Sequence, residues 1–369
     1  MQAVLISGGG IAGPVLAYWL HRHGFAPTVV ERAPGPRPGG QAVDIRGVAL
    51  DVIERMGLLE PAQHVRTRMR GMSVLAPDGH EIERSTETAW SSGRLDTDDI
   101  ELLREDLVRM VYDHTLADVE YLFGNSITAL DENENGVHVD FAHGASRTFD
   151  LVIGADGLRS TVRRLVFGPE DHFAHHLGSY LSVFSADNFL SLDHWQLWLR
   201  DGDAGFCIMP VRDNTELRIA FGFESPPLAG HLRDTGALRQ HVAGRLAALT
   251  WEGARLAEAA RNAPDFYCDA MAQIRMDRWS LGRVALLGDA GWCPSPLSGQ
   301  GTSLALVGAH VLADCLARAH GDHHAAYARY EHRMRPFVTL NQSLATENPG
   351  GPPAEASLTH AKNALRLDT

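Results

Sequence analysis

Three stretches of the chain repeat one pattern: a short apolar run, a glycine-bearing turn, and then the start of a helix. The runs are Ala3-Val4-Leu5-Ile6, Leu151-Val152-Ile153 and Val284-Ala285-Leu286-Leu287. Uninterrupted apolar runs of this length predict strands buried on both faces of a parallel sheet. Helical spacing is predicted over Val15 to His23 after the first run. After the third it is predicted over Thr302 to Ala319, where Leu304, Leu306, Val307, Val311, Leu312 and Leu316 recur mostly at three and four and Thr302 or Ser303 is free to cap the first turn. A helix start of this kind presents N–H groups that favour an anion.

Elsewhere the pattern changes period. Pro27 to Glu31 reads as a second strand, Gln41 to Arg46 alternates so that its polar members face either a ligand or solvent, and Val48 to Met56 is a helix stopped at Gly57. Met72 to Arg84 alternates around the turn Pro77-Asp78-Gly79, which predicts a hairpin, and a polar connection runs from Ser85 to Asp98. Asp99 to His114 reads as an amphipathic helix with Ile100, Leu103, Leu107 and Val111 on one face and Arg104 just off it. Val119 to Phe123, Ile127 to Glu132, Gly136 to Phe141 and Ser146 to Phe149 read as a β-meander on the main sheet. Tyr180 to Ser185, Trp195 to Arg200, Gly205 to Pro210 and Leu217 to Phe223 predict an antiparallel sheet, followed by a helix from Leu228 to Leu249. A tail has helix over Tyr327 to Leu344, a breaker at Pro349-Gly350-Gly351-Pro352-Pro353 and a final amphipathic piece to Leu367.

Gly8-Gly9-Gly10-Ile11-Ala12-Gly13 is G-x-G-x-x-G between strand and helix, and Glu31 closes the next strand. In this context Gly8 permits the tight turn, Gly10 lets backbone approach a pyrophosphate, Gly13 lets helix and strand pack, and Glu31 accepts from a ribose hydroxyl. The expected fold class is therefore α/β: a Rossmann-like dinucleotide-binding domain with a mostly parallel sheet plus a β-meander, an inserted antiparallel-sheet substrate domain and a C-terminal helix. The expected division gives residues 1–71, 99–175 and 269–320 to the nucleotide-binding domain, 72–98 and 176–268 to the substrate domain, and 321–369 to the tail.

Composition narrows the partners. The net charge of -13 argues against nucleic acid. Cysteines at 207, 268, 293 and 315 are too scattered for a zinc site or a secreted disulfide framework, which suggests a reducing cytoplasm. No basic leader precedes the first strand and no run of about 18 apolar residues occurs, so neither export nor membrane spanning is expected. Lys362 is the only lysine, which excludes mechanisms that need a core lysine. His172, His175, His176 and His323, His324 read as surface histidines, and no metal is expected.

Taken together, the motifs resemble those of the single-component flavoprotein monooxygenases of the para-hydroxybenzoate hydroxylase type, including the tetracycline-degrading branch. Gly8, Gly10, Gly13 and Glu31 match the turn that binds the ADP part of FAD, with Arg32 at the position that often follows the acid. Arg104 matches a helix arginine that reaches the flavin-side phosphates. Asp156, Gly157, Ser160 and Arg163 match D-G-x-x-S-x-x-R, which serves FAD and the nicotinamide donor. Gly288-Asp289 matches the G-D motif, in which Asp289 would bind a ribityl hydroxyl, and Pro296, Gly299, Gly301 and Thr302 would lie beside the flavin ring. Trp292 stands where the family commonly has His and Ser303 where it has Asn; Trp292 and Arg46 are expected near the isoalloxazine.

The resemblance implies FAD as cofactor, NADPH or NADH as a transient donor, and oxygen transfer from a C4a-hydroperoxide to an aromatic or polycyclic small molecule in a monomer or homodimer. The amides of Gly299 to Ser303 would face the anion of reduced flavin, and Trp195, Trp198, Phe206, Met209 and Phe221 would form an apolar lid. Only one dinucleotide fingerprint is present, so the donor has no Rossmann domain of its own. A halogenase would need a lysine beside the flavin and a W-x-W-x-I-P pattern that Trp195-Gln196-Leu197-Trp198 does not supply. Baeyer–Villiger oxygenation on the same scaffold and a non-catalytic FAD-containing binding protein remain open alternatives.

Overall fold

The computed structural model describes residues 1–228, 234–348 and 351–368. The chain opens with β1 (Ala3–Ser7), α1 (Ala12–Arg22) and β2 (Ala26–Glu31), followed by β3 (Ala42–Ile45), α2 (Val48–Arg55) and α3 (Leu59–His64). The hairpin of β4 (Gly71–Leu75) and β5 (Glu81–Ser85) leads into a small ribbon, β6 (Thr88–Ala89) and β7 (Gly93–Arg94), within the stretch expected to be only a connection.

β8 (Ile100–Leu103) then runs directly into α4 (Arg104–Thr115). This corrects the helix expected from Asp99. All four residues of β8 are buried, and they pair antiparallel with β3 from Ala42↔Leu103 to Ile45↔Ile100. A segment buried on every side has no solvent face, so its helical spacing was coincidental. Arg104 is consequently the first residue of α4, not a flank of its apolar stripe.

β9 (Glu120–Phe123) joins the main sheet beside β2, whereas β10 (Ile127–Asn133), β11 (Gly136–Phe141) and β12 (Arg147–Phe149) form a separate three-stranded sheet. The expected four-stranded meander is thus divided between two sheets. β13 (Leu151–Gly154) and α5 (Thr161–Val166) follow. The chain then crosses into a seven-stranded sheet through β14 (Ala174–Asp187), β15 (Trp195–Asp201), β16 (Ala204–Val211) and β17 (Glu216–Glu224). The helix expected from Leu228 starts later, as α6 (Thr235–Ala247), capped by the Asp234 side chain; residues 229–233 lie outside those described. α7 (Gly253–Asn262) and β18 (Tyr267–Ile274) complete this layer.

The return path contains β19 (Ser280–Leu281), β20 (Val284–Leu286), α8 (Asp289–Trp292), α9 (Gly301–Arg318), α10 (His323–Glu347) and α11 (Glu355–Lys362). Two breaker residues, Pro349 and Gly350, lie outside the described residues.

Two sheets organise the molecule. The first has the order β19-β20-β13-β1-β2-β9, parallel except for β19, and the second the order β18-β14-β17-β16-β15-β4-β5. In the first, Ser7 pairs with Gly154 and Gly154 with Leu286, so the three apolar runs are neighbours and end side by side. The second buries Phe184, Phe206, Ile208, Ile219 and Phe221 against α6 and α7 as a separate core.

A buried cation ties the layers together. Arg218 on β17 is 3% exposed and reaches Asp265 at 2.5 Å, Glu216 at 2.8 Å and Glu105 of α4 at 3.2 Å. Asp265 also accepts from Ser185 N and Oγ, and Glu105 from Gly39 N. Removing one member of a buried charge network strands the others. Arg218→Met is expected to lower unfolding free energy by about 3 kcal/mol, measured by urea denaturation; a loss below about 0.5 kcal/mol would show that water, not Arg218, compensates these carboxylates.

Candidate functional site

The turns after β1, β13 and β20 meet at the carboxyl ends of neighbouring strands of the first sheet, where open α/β sheets bind ligands. Gly8 has φ +116°, and a Cβ placed on it would come within 2.4 Å of Ala155 O. A Cβ on Gly13 would come within 1.9 Å of Gly8 O, whereas one on Gly10 meets nothing within 4 Å. Gly8 and Gly13 are therefore demanded by the protein's own packing, and Gly10 faces open space. Glu31 closes the loop, accepting from Gly9 N at 2.7 Å and Ala33 N at 2.9 Å. Arg32 is exposed beside it.

Arg104 approaches from behind the next loop, donating to the carbonyls of Arg37 at 3.0 Å and Gly39 at 2.9 Å. Burial first, and then the Arg37 charge, depress its pKa to about 10. In this structure Arg104 shapes the 37–40 backbone that borders the glycine turn.

Ser160 caps α5, accepting from Arg163 N at 2.9 Å, and Asp156 accepts from the first-turn amides Thr161 N at 2.8 Å and Val162 N at 3.2 Å. Gly157 has φ +81° with open space where a Cβ would stand. Arg163, 1% exposed, donates to Leu158 O at 2.6 Å and to Ala290 O at 2.8 Å. It is a brace between two of the motifs, a role its place in D-G-x-x-S-x-x-R did not announce.

Asp289, an exposed residue, begins α8; desolvation by the surrounding protein raises its pKa, against a hydrogen bond from Cys293. Ser295, buried, takes φ +75° and ψ 147°, a strained conformation for a residue with a side chain, and thereby turns Pro296 and Leu297 outward. Gly299 has φ +64°, and Gln300 stands at the N-cap of α9 with a buried amide whose two polar atoms have no partner among the described residues. Neither Thr302 nor Ser303 caps α9, contrary to expectation. Ser303 Oγ instead accepts from Arg46 N at 3.0 Å and donates to Asp44 O at 3.1 Å, tying β3 to the helix. The first bond of α9 runs from Leu304 N to Gln300 O, which leaves the amides of Gly301, buried Thr302 and Ser303 ahead of the ladder.

Two expected ring neighbours separate. Arg46 Nη1 lies 4.0 Å from the place a Cβ on Gly299 would occupy, so it reaches the turn. Trp292 does not: it is 1% exposed, donates Nε1 to Tyr330 Oη at 3.0 Å and packs on Trp279. Its large apolar ring finds its partners in the core behind the turn, not in the cleft.

The lid is also corrected, by the two-residue period of its strands. Phe206 and Phe221 point into the core under α6 and α7. Trp195 lies beneath Arg84 and donates to Ser73 Oγ at 2.8 Å. Trp198 and Met209 share the opposite face, where Trp198 tilts against Trp90 at 5.3 Å and Met209 packs with Leu103.

The profile of the FAD binding domain family matches residues 1–343. A flavin-dependent monooxygenase of Legionella longbeachae is 38% identical, covering 92% of this chain and 87% of its own. The chain belongs to the family of flavin-dependent monooxygenases built on an FAD-binding domain. An uncharacterized protein of Mycobacterium tuberculosis is 51% identical over 96% of this chain and 95% of its own. Among solved structures, the tetracycline destructases Tet(51) and Tet(55) superpose with TM-scores of 0.90 and 0.89 at 33% and 35% identity, each covering 100% of this chain and 100% and 99% of theirs. FAD is the cofactor this family implies, and the open positions at Gly10 and Gly157 fit such a group. Gln300, Ser295 and the brace by Arg163 escaped sequence reasoning because each depends on a neighbour distant in the chain.

Gly10→Ala and Gly13→Ala should separate binding from folding. Gly10→Ala is expected to keep the wild-type melting temperature while weakening FAD binding at least about tenfold, a cost of about 1.4 kcal/mol. Gly13→Ala is expected to lower the melting temperature itself. Thermal melting of the flavin-free proteins and fluorescence titration with FAD check both; full affinity in Gly10→Ala would remove that glycine from the site.

Proposed function

We propose that this monooxygenase uses NADPH or NADH and O2 to hydroxylate an aromatic or polycyclic small molecule held between the Gly288–Thr302 turn and the Trp198 face of the second sheet. The observation that carries the proposal is the whole-chain likeness to the tetracycline destructases together with the Trp90 and Trp198 pair on the face of β15 away from α6 and α7. Bound FAD supplies acceptance of hydride and activation of oxygen.

The protein's part is positioning. Gly10 and the N-terminus of α1 receive the pyrophosphate, with Arg104 holding the bordering loop. Asp289 accepts from a ribityl hydroxyl. Gly299, Gly301 and Thr302, with Pro296, would hold the ring, and the first amides of α9 and Arg46 would stabilise negative charge there. Tilted aromatic rings opposite this seat suit a flat, apolar substrate and exclude water around the reacting atoms. Four free cysteines fit a reducing cytoplasm, and among the described residues no helix is long and apolar enough to cross a membrane.

Screening polycyclic phenols, polyketides and tetracyclines is expected to find a compound that stimulates NADPH or NADH oxidation, with the labelled oxygen of O2 appearing in product. Oxidation unchanged by every compound and no label in product would reject the hydroxylase reading. Asp289→Ala is expected to weaken FAD binding about tenfold or more, since a hydrogen bond to a charged group contributes about 1.5–3 kcal/mol; unchanged affinity would remove Asp289 from the ribityl chain.

A further inference from the structure

The β3–β8 ladder places Asp44 directly opposite Glu101. Residues paired across an antiparallel ladder project to the same face. Both carboxyl groups are buried, at 8% and 6% exposure, so two acids share one dry surface. A single guanidinium answers them. Arg46 Nη2 lies 3.0 Å from Asp44 Oδ2 and donates to Ser91 O at 2.8 Å, while Nη1 points towards Gly299.

The charges around this group can be counted. Asp99, which precedes β8, is neutralised by Lys362 of α11 at 2.6 Å. Cys207 on β16 is held as a neutral thiol, because burial and then Glu101 push its pKa up. Glu101 Oε2 accepts from Thr67 Oγ1. Asp44 Oδ1 has no partner among the described residues. Two buried carboxyl groups on one face therefore have one guanidinium near them among the described residues, and desolvation opposes ionisation of both, against the hydroxyls of Ser91 and Thr67 at Glu101.

We propose that Asp44 and Glu101 hold one proton between them in the resting protein, and that the pair takes up a second proton from solvent when negative charge arises at the start of α9. Arg46 transmits the change. With one proton on the pair, the unit of two carboxyls and one guanidinium is neutral; a new anion beside Gly299 draws on Arg46 and leaves the remaining carboxylate uncompensated, so it is protonated. No covalent bond in the protein is broken. Asp44 and Glu101 act here as positioning residues, through Arg46. Desolvation, opposed by Arg46 and assisted by Glu101, raises the Asp44 pKa to about 7, and desolvation likewise raises that of Glu101. The resting proton is a property of the chain alone; its coupling to the anion rests on the flavin seat proposed above.

The experiment has two arms. In flavin-free protein, infrared spectroscopy across a pH titration is expected to show a carboxylic-acid carbonyl band that persists to about pH 7, beyond the ordinary range of Asp and Glu. It should be absent from the Asp44→Asn, Glu101→Gln double variant. In the FAD-loaded protein, the pH dependence of the flavin potential is expected to report about two protons per two electrons for wild type and about one for the double variant, one proton belonging to the flavin itself. A wild-type protein without the persisting band would overturn the shared proton, and this arm does not depend on the variant folding. Equal proton counts in the two loaded proteins would overturn the coupling. Protein that shows the band but does not take up FAD would overturn the functional reading and the coupling, and would confirm the shared proton.

Discussion

The close approach of three backbone turns at one end of β1, β13 and β20 is the constraint on which the rest of the structure depends. Gly8 lies so near Ala155 that a Cβ has no room, and Gly13 lies nearer still to Gly8. Backbones this close must be held in register by something other than their own side chains. Arg163 does so, from within the core, by donating to one carbonyl in each of the second and third turns. A buried guanidinium whose two terminal nitrogens are held by fixed carbonyls resists the separation of those turns, because each lost bond would leave a desolvated donor.

The second sheet is attached to this frame by charge as well as by apolar contact. Arg218 joins β17, α4 and the segment before β18, and Glu105 passes the same network on to Gly39 in the loop that Arg104 also shapes. The second sheet and the 37–40 loop beside the glycine turn are thus joined by one charge network. The aromatic residues divide accordingly: those under α6 and α7 give the sheet its own core, and Trp198, on the other face, packs against Trp90.

At the start of α9 the free first-turn amides and the Arg46 guanidinium come together, with the buried acids Asp44 and Glu101 behind them. Ser303 fixes the distance between them by bonding to both Arg46 and Asp44. A serine in place of the family's usual asparagine is therefore a tie between strand and helix, which accounts for its burial without any contact to a ligand.

Much was legible in the chain because the information was local. Apolar runs ending in glycine located β1, β13 and β20, and G-x-G-x-x-G, with Glu31 at the next strand end, located the nucleotide turn. Those features follow from backbone sterics and strand burial, which neighbouring residues determine among themselves. Tertiary structure decided the rest. Ile100 to Leu103 became a strand because β3 was available to pair with it. Trp292 went to the core because Tyr330 and Trp279 supplied its partners. Asp44 and Glu101 came to share one face only through that same ladder. Periodicity names the face of an element, but not what the fold will place against it, and burial, pairing and charge compensation are properties of that opposing surface.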